Sequence, residues 1–193
     1  MSESAPLLHR RSIEVNCYDE GDYVRTVGRL RDERPWHEHV PVLHDMELSL
    51  RVRLADMIIE TADAVMHLFP HEECPFIEPK FRELEGLSIT RGFSRSLREL
   101  FTGVSGCQHL HELARVSGPA VFQATTSKRA HAREAGQPPS TDQLRRVAAG
   151  MSGTCHVWAP DGYGEKKLAA GWRPGGPTYP APSADKLLNQ PNP

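Results

Sequence analysis

The sequence predicts an α+β domain: a four-stranded antiparallel meander covered on one face by helices. Three observations predict it. Apolar and polar residues alternate through the first half, helical spacing takes over after Cys74, and the order is strands first and helices afterwards. Strands that are apolar on one side only must bury that side, and the helical segments that follow are available to cover it.

Ile13, Val15 and Cys17 lie on one face of a first strand, YDEGD reads as a turn, and a second strand runs through Val24 to Leu30, making a hairpin. A proline-bounded loop, ERPWHEHVPV, leads to Met46, Leu48, Leu50, Val52 and Leu54 at period two, and LADM then turns the chain into a fourth strand, IIETADAVM. PFIEPKFREL is expected to be a helix with Phe76, Ile77, Phe81 and Leu84 inward, and SRSLRELF a second with Leu97, Leu100 and Phe101 inward. A longer helix starts near Cys107 and turns Leu110, Leu113, Val116 and Val121 inward, with Pro119 expected to kink or end it. Residues 1–10 read as a flexible N-terminus, 11–172 as a single domain, and 173–193 as a disordered proline-rich tail without the periodic apolar residues that offset ordering entropy. The polar stretch from Ser127 to Asp142 reads as a helix end followed by an exposed loop.

Charge and cysteine usage narrow the function classes. The 193 residues carry 23 Lys and Arg against 25 Asp and Glu, a formal charge of -2, which excludes a strong polyanion binder. SRSLRELF, TGVSG and QHLHELARV, with Arg95, Arg98 and Arg115, have the outline of a helix-turn-helix, but that charge opposes a nucleic-acid partner. No apolar run is long enough to span a bilayer and no secretory leader is visible, so the expected setting is cytoplasmic, without a membrane partner. In a reducing compartment four widely spaced cysteines are free thiols or metal ligands.

Three constellations could carry chemistry. His44 and Asp45 precede the third strand, and Cys74 lies between the fourth strand and the first helix, at element ends where side chains converge without disrupting a core. In GCQHLHEL, Cys107 opens a helix, where free backbone N–H groups and the helix dipole favour a thiolate nucleophile or metal ligand. His109 and Glu112, three residues apart, share a helical face, whereas His109 and His111 do not. Cys155 and His156 are adjacent, and on a strand they would face opposite sides. Each cysteine also has a packing explanation, Cys17 above all, and no Cys-x-x-Cys spacing marks a zinc finger.

The runs LHDMELSLRV, ECPFIEPKFRELEGLSI, GCQHLHEL and GTCHVWAPDG resemble the signature segments of a bacterial domain-of-unknown-function family, over most of residues 8–172. From His44 to Ala124 the order of features also resembles the NifU/IscU-type iron-sulfur scaffold: MELSL after His44, IIETA at Ile58 to Ala62, then Cys74, then Cys107 opening a late helix. That second resemblance implies a scaffold-like fold, with His44 or Asp45 near the scaffold's aspartate ligand and Cys74 and Cys107 at its middle and last cysteines. The scaffold's first cysteine has no counterpart in PVLHD, so a mononuclear zinc or iron ion fits this set more readily than an iron-sulfur cluster, which would need Cys155 as well.

The sequence therefore points to a metal-binding protein that uses His44, Cys74 and Cys107, completed by His109, Asp45 or Cys155. If a coordination position stays open, Asp45 or Glu112 could act as general base on a small-molecule substrate. If Cys155 or His109 closes the set, the site is structural or a sensor. The alternatives are a metal-free thiol enzyme with Cys107 as nucleophile, and a non-catalytic protein that binds a protein partner.

Overall fold

A computed structural model describes residues 5–134, 149–172 and 179–189. Strands β1 (Arg10–Glu20), β2 (Tyr23–Glu33), β3 (Val42–Arg53) and β4 (Ile58–Leu68) pair antiparallel in chain order. A 3-10 helix, Cys74–Leu84, follows, then α1 (Phe93–Phe101) and α2 (Gln108–Glu134), giving the α+β architecture that the patterning predicts. The chain divides into two units, residues 1–128 and 129–193, so the block expected as one domain takes in parts of both.

Register explains which side chains share a face. Ile13 lies opposite Leu30, Leu30 opposite Met46, and Met46 opposite Met66. The period-two residues of each strand therefore form one continuous inner face, with Val24, Leu30, Met46, Leu48, Leu50 and Val52 each at most 2% exposed. Leu97 and Phe101 of α1 and Leu110, Leu113 and Val121 of α2 complete that core. Phe81 stacks on Phe101 with ring centroids 4.5 Å apart. At Gly28 on β2 the helix comes close, since a Cβ built there would lie 3.3 Å from a Leu113 methyl and 3.4 Å from Ser117 Oγ.

The edge strand β4 is closed by polar groups rather than left open to other chains. The Met66 amide donates to Glu78 Oε1 at 2.6 Å and the Ala62 amide to Glu85 Oε1 at 3.1 Å. Beside them the Ile59 amide donates to the Leu87 carbonyl and the Gly86 amide to the Ile59 carbonyl. Glu78→Ala is expected to cost about 1–2 kcal/mol in urea denaturation by stranding the Met66 N–H.

Several expectations need correction. PFIEPKFREL is 3-10 and not α-helical, with Pro79 inside it removing an amide donor and crowding the preceding turn, and Phe76 on it is 78% exposed while Phe81 and Leu84 are buried. Helix α2 runs through Pro119, which lies at an exposed position. The N-terminal arm is fastened: the Trp36 indole donates to the Leu8 carbonyl at 2.8 Å. In the second unit, Cys155 and His156 are not on a strand but at the start of a 3-10 turn, His156–Trp158, followed by α3 (Tyr163–Ala169). Within the stretch expected to be a disordered tail, α4 (Ala184–Leu188) forms with Ser183 as its N-cap, accepting from the Lys186 amide. Residues 135–142, part of the expected loop, and 173–178 and 190–193 of the tail lie outside the described residues.

Candidate metal centre

At one end of the inner face the apolar ladder gives way to a polar row. Arg11 on β1 lies opposite Asp32 on β2, which lies opposite His44 on β3. These positions continue the inward registers of Ile13, Leu30 and Met46, so three adjacent strands deliver their side chains to one place. Helix α2 adds His109 and Glu112 above them, the two sharing a face through their three-residue spacing.

Asp32, 1% exposed, is the hub. Arg11 donates Nε to Oδ1 and Nη2 to Oδ2, both at 2.7 Å, a bidentate pair. His9 Nε2 lies 3.3 Å from Oδ1. His44 Nδ1 and His109 Nε2 lie 3.1 and 3.3 Å from Oδ2, and the two imidazole rings face each other with centroids 3.9 Å apart. Five nitrogens thus surround two oxygens that offer about four lone-pair directions. Burial disfavours the Asp32 anion, but the Arg11 hydrogen bonds and charge outweigh it, with help from the histidines, and hold the carboxyl down at about 2. His109 is pushed below its ordinary value by burial and by the neighbouring His44, which favours the neutral ring that a metal requires.

The residues singled out in the sequence fall in different places. His44 and His109 converge, and with Asp32 they form a group of ligand atoms all within 4.8 Å of one another. Among the described residues this is the one His/Cys/Asp/Glu group of that kind, and neither Cys74 nor Cys107 is in it. Cys74 begins the 3-10 helix and packs half-buried against the core. Cys107 stands just before α2, its carbonyl accepting from the His111 amide, with Sγ 3.8 Å from His109 Nδ1. Cys155 is exposed and belongs to the second unit.

Of the two expected general bases, Asp45 falls on the outer face, because adjacent strand positions alternate sides. There Arg29 donates to both its oxygens at 2.7 Å, and these bonds hold the carboxyl below its ordinary value. Glu112 is at the polar row, accepting from Arg11 Nη1 at 3.0 Å and Arg115 Nη2 at 3.3 Å. His111 lies outside the group.

Fold and site together define a two-layer α+β protein with a buried carboxylate flanked by imidazoles at one end of its sheet. The chain belongs to the family described as protein of unknown function (DUF2889), whose model matches residues 9–123. That span holds Arg11, Asp32, His44 and His109. No curated protein and no solved structure matches the chain, and the NifU/IscU-type resemblance finds no support. No helix among the described residues is long and apolar enough to cross a membrane.

Proposed function

We propose that this cytoplasmic protein binds one divalent transition-metal ion, zinc or iron, through Asp32, His44 and His109, leaving coordination positions open to a small-molecule ligand. The observation that carries the reading is that His44 Nδ1 and His109 Nε2 approach one carboxylate oxygen from different elements, to 3.1 and 3.3 Å. Two imidazoles and a carboxylate with room for further ligands suit catalytic zinc and non-haem iron alike. To admit the ion, Arg11 must give up Oδ2, and its existing bond to Glu112 offers the guanidinium an alternative partner. A bound ion would supply Lewis acidity there, and Glu112 is the acidic group at hand for proton transfer.

Cobalt titration of chelator-stripped protein tests this. One equivalent should give ligand-field bands that His44→Ala and His109→Ala lose and that Cys74→Ser and Cys155→Ser retain. Wild-type protein that takes up no cobalt rejects the reading, and loss of the bands in Cys74→Ser restores the cysteine ligand set.

A second reading has one observation in its favour. Cys107 Sγ, His109 Nδ1 and Nε2, and Asp32 Oδ2 run in the order thiol, imidazole, carboxylate, with separations of 3.8 and 3.3 Å. The two readings compete for His109. With Nε2 on an ion, the neutral ring carries its proton on Nδ1 and cannot accept one from the thiol. Iodoacetamide should therefore label Cys107 faster in stripped protein than in zinc-loaded protein if the thiol reading holds, and equally in both if it does not.

A further inference from the structure

The surroundings of the polar row say what the open positions would take. Arg10 of β1 pairs with Glu33 of β2, Glu33 with Val42 of β3, and Asp45 of β3 with Leu68 of β4, so these strand ends all lie at the end of the sheet that carries Asp32 and His44. That end has an apolar rim: Leu7 and Leu8 before β1, Trp36 and Val40 between β2 and β3, Leu68 at the end of β4 and Phe69 after it, each at least 37% exposed. Water-exposed apolar groups gathered at one place mark a binding surface more often than a packing accident. Two of them are tied to the site, because the Trp36 indole is held on the Leu8 carbonyl and the next residue, His9, reaches Asp32.

Charge sets the rest of the ligand. The carboxylates of Asp32 and Glu112 are balanced by the guanidiniums of Arg11 and Arg115. A divalent cation therefore brings positive charge that nothing in the row neutralises, and an anionic ligand is what compensates it. Arg34, two residues beyond Asp32 in the chain, carries a further guanidinium, whose Nε is buried with no hydrogen-bond partner.

We infer that the site binds a small monocarboxylate with an apolar body, its carboxylate on the metal beside Arg11 and its body against the rim around Trp36. This rests on the metal reading, since the ion supplies the uncompensated charge. The experiment uses the full chain loaded with cobalt and titrates benzoate, acetate and benzyl alcohol while following the ligand-field bands. Benzoate should perturb them at a concentration about tenfold lower than acetate, as burial of roughly 50 Å² or more of ring surface implies, and benzyl alcohol should leave them unchanged. Trp36→Ala should bring benzoate back to the level of acetate. Acetate matching benzoate, benzyl alcohol matching benzoate, or a benzoate preference that survives Trp36→Ala each overturns the inference and leaves the metal reading standing. Absence of cobalt binding by the wild type removes both.

Discussion

Asp32→Asn is expected to abolish divalent-metal binding and to cost about 2–3 kcal/mol of stability in the chelator-treated protein. An amide keeps one acceptor oxygen but loses the charge that draws Arg11, His9, His44 and His109 together. The bidentate Arg11 contact becomes a single hydrogen bond, and an amide N–H₂ faces guanidinium donors it cannot satisfy. The two imidazoles, tilted at 34° with centroids 3.9 Å apart, lose the carboxylate they share. Arg11 retains Glu112, and its side chain is 34% exposed, so part of its loss is recovered from solvent. Urea denaturation at neutral pH gives the stability change, and cobalt titration the metal change. Unaltered stability would mean that the Asp32–Arg11 pair only balances its own desolvation.

The same carboxylate dictates an acid response with a definite sign. Its folded value, about 2, lies below its ordinary 3.8, so the folded state binds this proton less readily than the unfolded chain does. The stabilisation is fully present above about pH 4 and is lost as the pH falls through about 2, amounting to roughly 2 kcal/mol. In chelator-treated protein the Asp32→Asn variant should lack this segment of the acid profile, and its deficit against the wild type should shrink as the pH is lowered. A constant deficit from pH 7 to pH 2 would show that the carboxyl titrates alike in both states.

The meander was legible because each strand buries one face, which writes period two into the sequence from Ile13 to Met66. His44 and His109 were legible as candidates for a different reason: both stand at element ends. Their convergence was not, since it depends on how α2 lies over the sheet, and a close approach such as that at Gly28 leaves little trace in one sequence. Asp32 was missed although a signal for it existed. Reading the second strand as ending at Leu30 stopped one step short, for the inward series Val24, Thr26, Gly28, Leu30 continues to Asp32. An acid on the inward register of a strand is out of place unless something pairs with it, and Arg11, in phase with Ile13, Val15 and Cys17, is that partner. Cys74 was a candidate because of its place between a strand and a helix, which a resemblance reinforced, whereas its half-buried position against the core is that of an ordinary small side chain.

Gly106→Ala should be at least as disruptive to the fold, and it acts on the site from a distance. Gly106 joins α1 to α2 with extended backbone, φ −159°, so alanine meets no conformational objection there. The objection is steric. A Cβ at this position would lie 2.1 Å from the Phe101 carbonyl oxygen and 2.5 Å from its carbon, and backbone atoms cannot rotate aside as a side chain can. Either the last turn of α1 unwinds, pulling Phe101 off the stack it makes with Phe81, or the turn opens and carries Cys107 and His109 away from Asp32. A loss of about 3 kcal/mol is expected on either route, the scale of a mutation that disrupts packing in a closed core. The two routes separate in the metal readout: unwinding of α1 weakens stability while cobalt affinity holds, whereas opening of the turn weakens both. The second is favoured, because Phe101 is 1% exposed at the centre of the core while Gly106 and Cys107 are only half-buried. Stability and cobalt binding both equal to wild type would show that the turn has slack enough to move the Phe101 carbonyl, and that His109 does not depend on this junction for its place.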